Sequence, residues 1–158
     1  MIDSYTHCGI DKYEPVESVV EAMEYSEITR AVLVQHLGQF DNSYIDNVVK
    51  DNPETFTGVG LVDTTDTNWY REIEALRNSD SFMGIRFSSP SILGNFDAVI
   101  EAGQMGLNLI LYTPDGIDEV SQEIAALARK VPDTSIVLTH LGCPEQKVDV
   151  DRRNCSII

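Results

Sequence analysis

Short apolar runs alternate along this chain with longer stretches whose apolar positions recur every three or four residues. Ala31-Val32-Leu33-Val34 runs into Gln35 and His36, and a continuous apolar run that turns polar only at its end predicts a buried parallel strand. The same pattern predicts a first strand opening at Ile2 and closing at His7-Cys8-Gly9, and further strands over 56–63, 83–88, 107–113 and 135–140. Between them lie helical stripes. Val19, Val20, Met23 and Ile28 follow Pro15, which suits a first helical turn. Tyr44, Ile45, Val48 and Val49 follow Asn42 or Ser43 as cap and stop at Asn52-Pro53. Helices are predicted over 68–77, 96–105 and 117–129, the last with Ile124, Leu127, Ala128 and Val131 on its buried side. The strands recur every 27 residues or so, roughly the size of one βα unit.

Strict alternation of strand and helix means a parallel sheet covered by helices, either an open doubly wound sheet or a (β/α)8 TIM barrel. A nucleotide-binding sheet carries a Gly-rich turn after its first strand, whereas Gly9 stands alone. Nearly every strand instead ends in a polar side chain: His7, Gln35 or His36, Asp63, Arg86, Tyr112 and His140. Several strands each giving one residue to a common mouth is barrel chemistry. The expected fold is therefore an α/β, (β/α)8 TIM-barrel type that is incomplete, with about six βα units, because a full barrel takes roughly 250 residues. Residues 1–147 form the partial barrel on this reading. The 148–158 stretch reads as an irregular C-terminal tail, as a truncated chain would leave.

Composition narrows the function classes. With 158 residues, 42% hydrophobic and 23% charged, the chain suits one globular domain with a real core. A net charge of −15 with only 11 Lys and Arg argues against nucleic acid or an anionic membrane as partner. Cys8, Cys143 and Cys155 form no CxxC pair, which points to free thiols in a reducing compartment. The start lacks a basic and apolar leader pattern, and no apolar run approaches the roughly 18 residues of a membrane span, so the cytoplasm is expected.

Successive side chains of a strand point to opposite faces, so Tyr5 and His7 share one face, and Leu138 and His140 share one face of the last strand. His7, Arg86 and His140 are expected to converge on one cavity at the carboxyl ends of the strands. Arg86 suits bidentate binding of a carboxylate, or else a structural pair with Asp63 or Asp3. Gln35, Asn42 and Tyr112 could line the same mouth, with His36 more loop-facing. Asp63 reads as a helix cap or as a general base. Cys8 alternates away from His7 and reads as a small core side chain.

These stretches together resemble the amidohydrolase-related (amidohydrolase-2) family. The opening IDSYTHCG stands where the family has IDxHxH; VLVQHLGQFDNSYI resembles its VxVQ…DN segment; GVGLVD and MGIRF follow; VLTHLGCP is similar to its DHxGxP. Within the family the lactonase branch is most similar. The resemblance implies a hydrolase acting on a carboxylated lactone or a related C–O or C–N bond, impaired by truncation. His7, His140 and Arg86 would be catalytic, with the imidazoles polarising the carbonyl and Arg86 holding the acid; Tyr5, Gln35, Asn42 and Tyr112 would bind substrate. A non-catalytic relic or binding scaffold, or a metal-dependent decarboxylase of the same group, are the alternatives. Tyr5 replaces the first histidine of the pair, so no cofactor is expected; a divalent metal, Zn or Mn, held by His7 and His140, is the alternative. The expected partner is a small carboxylated substrate. Six strands cannot close a barrel, so Val32, Val34 and Ile110 are expected to be partly open to water, and exposed sheet edges to favour a homo-oligomer.

Overall fold

The computed structural model describes residues 1–143. The tail expected over 148–158, Cys155, and residues 144–147 of the expected domain lie outside them. Six strands, β1 Ile2–Thr6, β2 Arg30–Val34, β3 Phe56–Leu61, β4 Phe82–Ser88, β5 Asn108–Tyr112 and β6 Ile136–Leu138, form one sheet in sequence order. Every neighbouring pair is parallel. Six α-helices connect them: α1 Val16–Tyr25, α2 Ser43–Asp51, α3 Trp69–Asn78, α4 Ser89–Gly94, α5 Phe96–Gln104 and α6 Ser121–Lys130.

The sheet is curled. Flat, its first and sixth strands would lie roughly 24 Å apart at about 4.8 Å per spacing. Yet Tyr5 of β1 and His140, just beyond β6, bring their ring centroids within 5.7 Å. Six parallel strands alternating with helices and curled in this way are an incomplete (β/α) TIM barrel, as the alternation predicts. Among the described residues β1 and β6 each pair on one side only.

Alternation along the strands sorts the side chains into two layers. Leu33, Ile85, Phe87, Leu109 and Leu111 face the helices and are wholly buried in the main core with Ile45, Ile73, Val99 and Leu127. On the concave face Val34, Val59 and Ile110 form a second, smaller cluster, with Tyr5 and Val32 packed against it. The expected opening of this face is met only in part: Val32 is half-buried, but Val34 and Ile110 are buried against each other and Val59. Curl brings these side chains into mutual contact without closing the barrel.

Local departures from the sequence pattern have local causes. Helix α1 ends at Tyr25 rather than reaching Ile28, because Glu27 takes a left-handed backbone and Ile28 N–H returns to the Met23 carbonyl. Asn42 holds the cap position of α2, as expected, but makes no cap bond with its side chain; Asp41 Oδ1 accepts the Ser43 N–H at 2.9 Å instead. The stretch expected as one helix over 117–129 begins as a 3-10 turn, Ile117–Val120, before α6. The last strand stops at Leu138, short of His140, because His140, Leu141, Gly142 and Cys143 all take positive φ. Thr113 Oγ1, buried, donates to the Gly142 carbonyl and ties this left-handed turn to the end of β5.

Candidate active site at the strand ends

Five residues expected at the mouth come together. Tyr5, His7, Arg86, Tyr112 and His140 line one cavity of about 430 Å³ at the carboxyl ends of the strands. The Tyr5 ring stands edge-on to His7 at 5.2 Å and to His140 at 5.7 Å, and Tyr112 stands edge-on to His140 at 5.8 Å. Tyr5 and His140 also wall a deeper apolar cavity of about 720 Å³ that includes Val34, Val59 and Ile110. A polar mouth thus sits over an apolar floor.

Arg86 is the electrostatic centre. Its residue is only 5% exposed, and its Nη1 donates to the Gln35 carbonyl at 3.1 Å. The guanidinium carbon lies 4.9 Å from the Tyr112 ring centre and 5.8 Å from that of Tyr5. Aromatic faces of this kind contribute roughly 0.5–2 kcal/mol each, but they do not neutralise the charge. Among the described residues the salt bridges are Arg30–Glu54 and Lys50–Asp46, so Arg86 is paired with neither Asp63 nor Asp3. Asp3 instead accepts the Tyr5 N–H, and Asp63 accepts the Thr65 N–H and hydroxyl, turning the chain toward α3. Arg86 Nε has no hydrogen-bond partner among the described residues.

His7 follows β1 directly, with Nδ1 2.5 Å from the Val34 carbonyl. A carbonyl only accepts, so Nδ1 carries the proton and the neutral ring presents a lone pair at Nε2. Burial lowers its pKa below the ordinary value; the Val34 bond opposes this, and Arg86, His36 and Lys12 add to it. This changes the role expected of His7. A neutral imidazole with Nδ1–H committed cannot donate from Nε2 to a carbonyl; it can accept a proton there. His140 is exposed at the rim of the same cavity.

Burial raises the Tyr5 pKa, with Arg86 only partly opposing it, so the phenol stays protonated at neutral pH. Its hydroxyl is buried with no partner among the described residues. Cys8, buried and pushed up to about 11, is a protonated thiol in the core, as alternation suggests.

Gln35 and Asn42 stand apart from this cavity. Gln35 is buried, donates from Nε2 to the Asp41 carbonyl and accepts the His36 N–H, bracing the loop whose backbone holds Arg86. Asn42 bonds both the N–H and the carbonyl of Leu61 through its side-chain amide, continuing the sheet where a strand partner would otherwise be needed. Three cavity residues escaped the sequence reading: Lys12 and Tyr13, in the loop after β1, and Leu37, in the loop after β2. Tyr13 stacks on His7 at 4.7 Å between ring centroids. Their only sequence signal is position, in the loops that follow the first two strands.

A metal fits this donor set poorly. His7 Nε2 and His140 would be its ligands, Tyr5 is an un-ionised phenol, and among the described residues no group of three His, Cys, Asp or Glu side chains could hold an ion. Nor is any helix among them long and apolar enough to cross a membrane.

Residues 6–154 match the amidohydrolase family, and the chain belongs to it. Among solved structures it is similar to a probable 2-pyrone-4,6-dicarboxylic acid hydrolase from Acinetobacter baumannii with citric acid bound, at TM-score 0.70 and 20% identity, over 89% of this chain and 58% of that one. An amidohydrolase from Burkholderia multivorans matches at TM-score 0.67 and 13% identity, over 89% and 57%; a second structure of a Burkholderia multivorans amidohydrolase carries bound zinc. A 5-carboxyvanillate decarboxylase from Novosphingobium aromaticivorans with bound manganese matches at TM-score 0.60 and 20% identity, over 79% and 49%. At these identities the likeness is one of fold, and the chain spans between about half and three fifths of these three proteins. No curated protein matches.

Proposed function

We propose that this member of the amidohydrolase family binds a small carboxylated lactone, or an ester or amide of similar shape, and hydrolyses it without a metal. One observation carries the reading: a buried arginine with no carboxylate partner among the described residues shares a cavity with a neutral histidine whose lone pair is free. A substrate carboxylate would complete Arg86. Water held at His7 Nε2 attacks the carbonyl carbon; His7 takes one proton, and the carbonyl electron pair moves onto its oxygen. On collapse the ring C–O bond breaks and the departing oxygen receives that proton from His7, so lactone and water become a hydroxy acid. His140 donates a hydrogen bond to the carbonyl or departing oxygen. Tyr112 packs the guanidinium; Gln35 acts through its backbone.

Two further readings have support. Manganese in the decarboxylase relative favours metal-dependent loss of carbon dioxide from a carboxylated ring, with Zn or Mn as cofactor. Tyr5 in place of a histidine favours a non-catalytic carboxylate-binding relic. We also infer a cytoplasmic protein, from its thiols, and self-association through the unpaired edges of β1 and β6. Turnover of a six-membered lactone carboxylate in metal-chelating buffer tests the main reading. The wild-type chain should hydrolyse it, and Arg86→Met should raise KM at least about tenfold while the protein stays folded. Binding without turnover would favour the relic, and carbon dioxide release that needs added manganese would favour the decarboxylase.

A further inference from the structure

We infer that Tyr5 is a catalytic residue in its own right: its hydroxyl donates the hydrogen bond that holds the carbonyl oxygen as that oxygen takes up negative charge. The inference rests on the hydrolytic reading of the cavity and assigns within it the group that receives the oxyanion.

Three polar atoms at this mouth are left open. Tyr5 Oη–H and Arg86 Nε–H are buried donors without acceptors among the described residues, and His7 Nε2 is an acceptor without a donor. An unsatisfied buried donor costs roughly 1–3 kcal/mol, so each marks a place where an acceptor belongs. The complement of two donors and one acceptor is an electron-rich oxygen together with a proton-bearing group, which is what a carbonyl and its attacking water present. Position agrees. The Tyr5 ring lies between the two imidazoles, edge-on to each, with the guanidinium 5.8 Å from its centre. An oxygen reached by the phenol is therefore close to His7, to His140 and to the one buried cation of the cluster.

The phenol is preorganised for this task. Its backbone N–H is tied to Asp3 Oδ1 at 3.0 Å, and its ring packs on the Val34, Val59 and Ile110 cluster, so the hydroxyl is held in place before substrate arrives. Donors fixed in advance on a developing charge, in a site screened from water, are worth far more than the same donors in solution. The hydroxyl keeps its proton throughout; it stabilises the oxyanion and returns to a weaker contact when the intermediate collapses.

The test compares a tetrahedral oxyanion mimic with a ligand that lacks it. Calorimetry would measure 3-carboxyphenylphosphonate and benzoate on the wild-type chain, on Tyr5→Phe and, as a control outside the cavity, on Tyr70→Phe. Tyr5→Phe should lower the phosphonate-to-benzoate affinity ratio about tenfold and leave benzoate within twofold, with Tyr70→Phe leaving the ratio unchanged. The substitution removes only an unpartnered hydroxyl, so the fold should survive. A second measurement needs no variant: phosphonate, and not benzoate, should give a tyrosine ultraviolet difference band on the wild-type chain. An unchanged ratio, or no band, with benzoate still bound overturns the role of Tyr5 and leaves the carboxylate site standing. Failure of both ligands to bind overturns both.

Discussion

The two faces of the sheet are built from the same strands and have opposite characters. Toward the helices, Leu33, Ile85, Phe87, Leu109 and Leu111 are at 0% exposure, each held between strand and helix. Toward the concave side, the small cluster of Val34, Val59 and Ile110 ends upward in Tyr5, Arg86 and the histidines, and outward in Val137 at 46% and Met83 at 43% exposure. The convex face is a solved packing problem. The concave face keeps a buried cation, two unsatisfied donors and a cavity, features that cost stability and suit binding. The helix-facing layer thus supplies the rigidity, and the concave layer uses it.

The largest expected difference between the faces is in stability. Phe87→Ala removes a fully buried ring from the convex core and should cost about 3–5 kcal/mol. Val59→Ala, on the concave cluster, removes two methyl groups beside an existing cavity and should cost about 1–2 kcal/mol. Urea unfolding of the two variants measures both. Equal losses would mean that the concave cluster is as well packed as the convex core, and the division of labour would fail.

A smaller effect separates the faces by pH. Burial holds His7 below its ordinary 6.5, so the folded chain takes up that proton at lower pH than the unfolded chain does. The stability tied to neutral His7 is present above 6.5 and is lost as pH falls through 6.5 toward the depressed folded value. Melting temperatures of the wild-type chain should therefore drop as pH falls below 6.5 more steeply than those of His7→Asn. Hydrolysis should fall over the lower part of the same window, because a protonated Nε2 has no lone pair for water. A wild-type slope no steeper than that of the variant would show that His7 is not held neutral by its surroundings.

Much of this arrangement was legible in the residues, and what was not has identifiable causes. Continuous apolar runs such as Ala31 to Val34 admit one reading, a strand covered on both sides, and the polar residue after each run marks the mouth; hence Tyr5, His7, Arg86, Tyr112 and His140 could be placed together. Gln35 and Asn42 follow the same rule in sequence but not in space, because backbone groups of the β2–α2 loop and of Leu61 claimed their amides. A side chain with both donor and acceptor serves the backbone as readily as a ligand. Helix α4 leaves no mark in the periodicity because its six residues are too few to repeat an apolar stripe, and the position of Pro90 in a first helical turn is visible only once the helix is seen. The tautomer of His7, which decides its chemistry, depends on a carbonyl 27 residues away in sequence. No local pattern carries such a contact.

The smallest expected effect concerns the edges where the two faces meet. Among the described residues β1 and β6 each have one hydrogen-bonding side unpaired, and Val137 stands near the centre of β6 at 46% exposure. Unpaired parallel edges beside exposed apolar side chains favour pairing between chains. Light scattering of the wild-type chain should accordingly show association that grows with concentration. Val137→Lys places a charge on the edge without touching the convex core, so it should shift the distribution toward smaller species while changing stability by no more than about 0.5 kcal/mol. Two results would count against the edge as the associating surface: a wild-type chain monodisperse at every concentration, or a variant that associates as strongly as the wild type. In the second case the contact would have to lie away from these two edges.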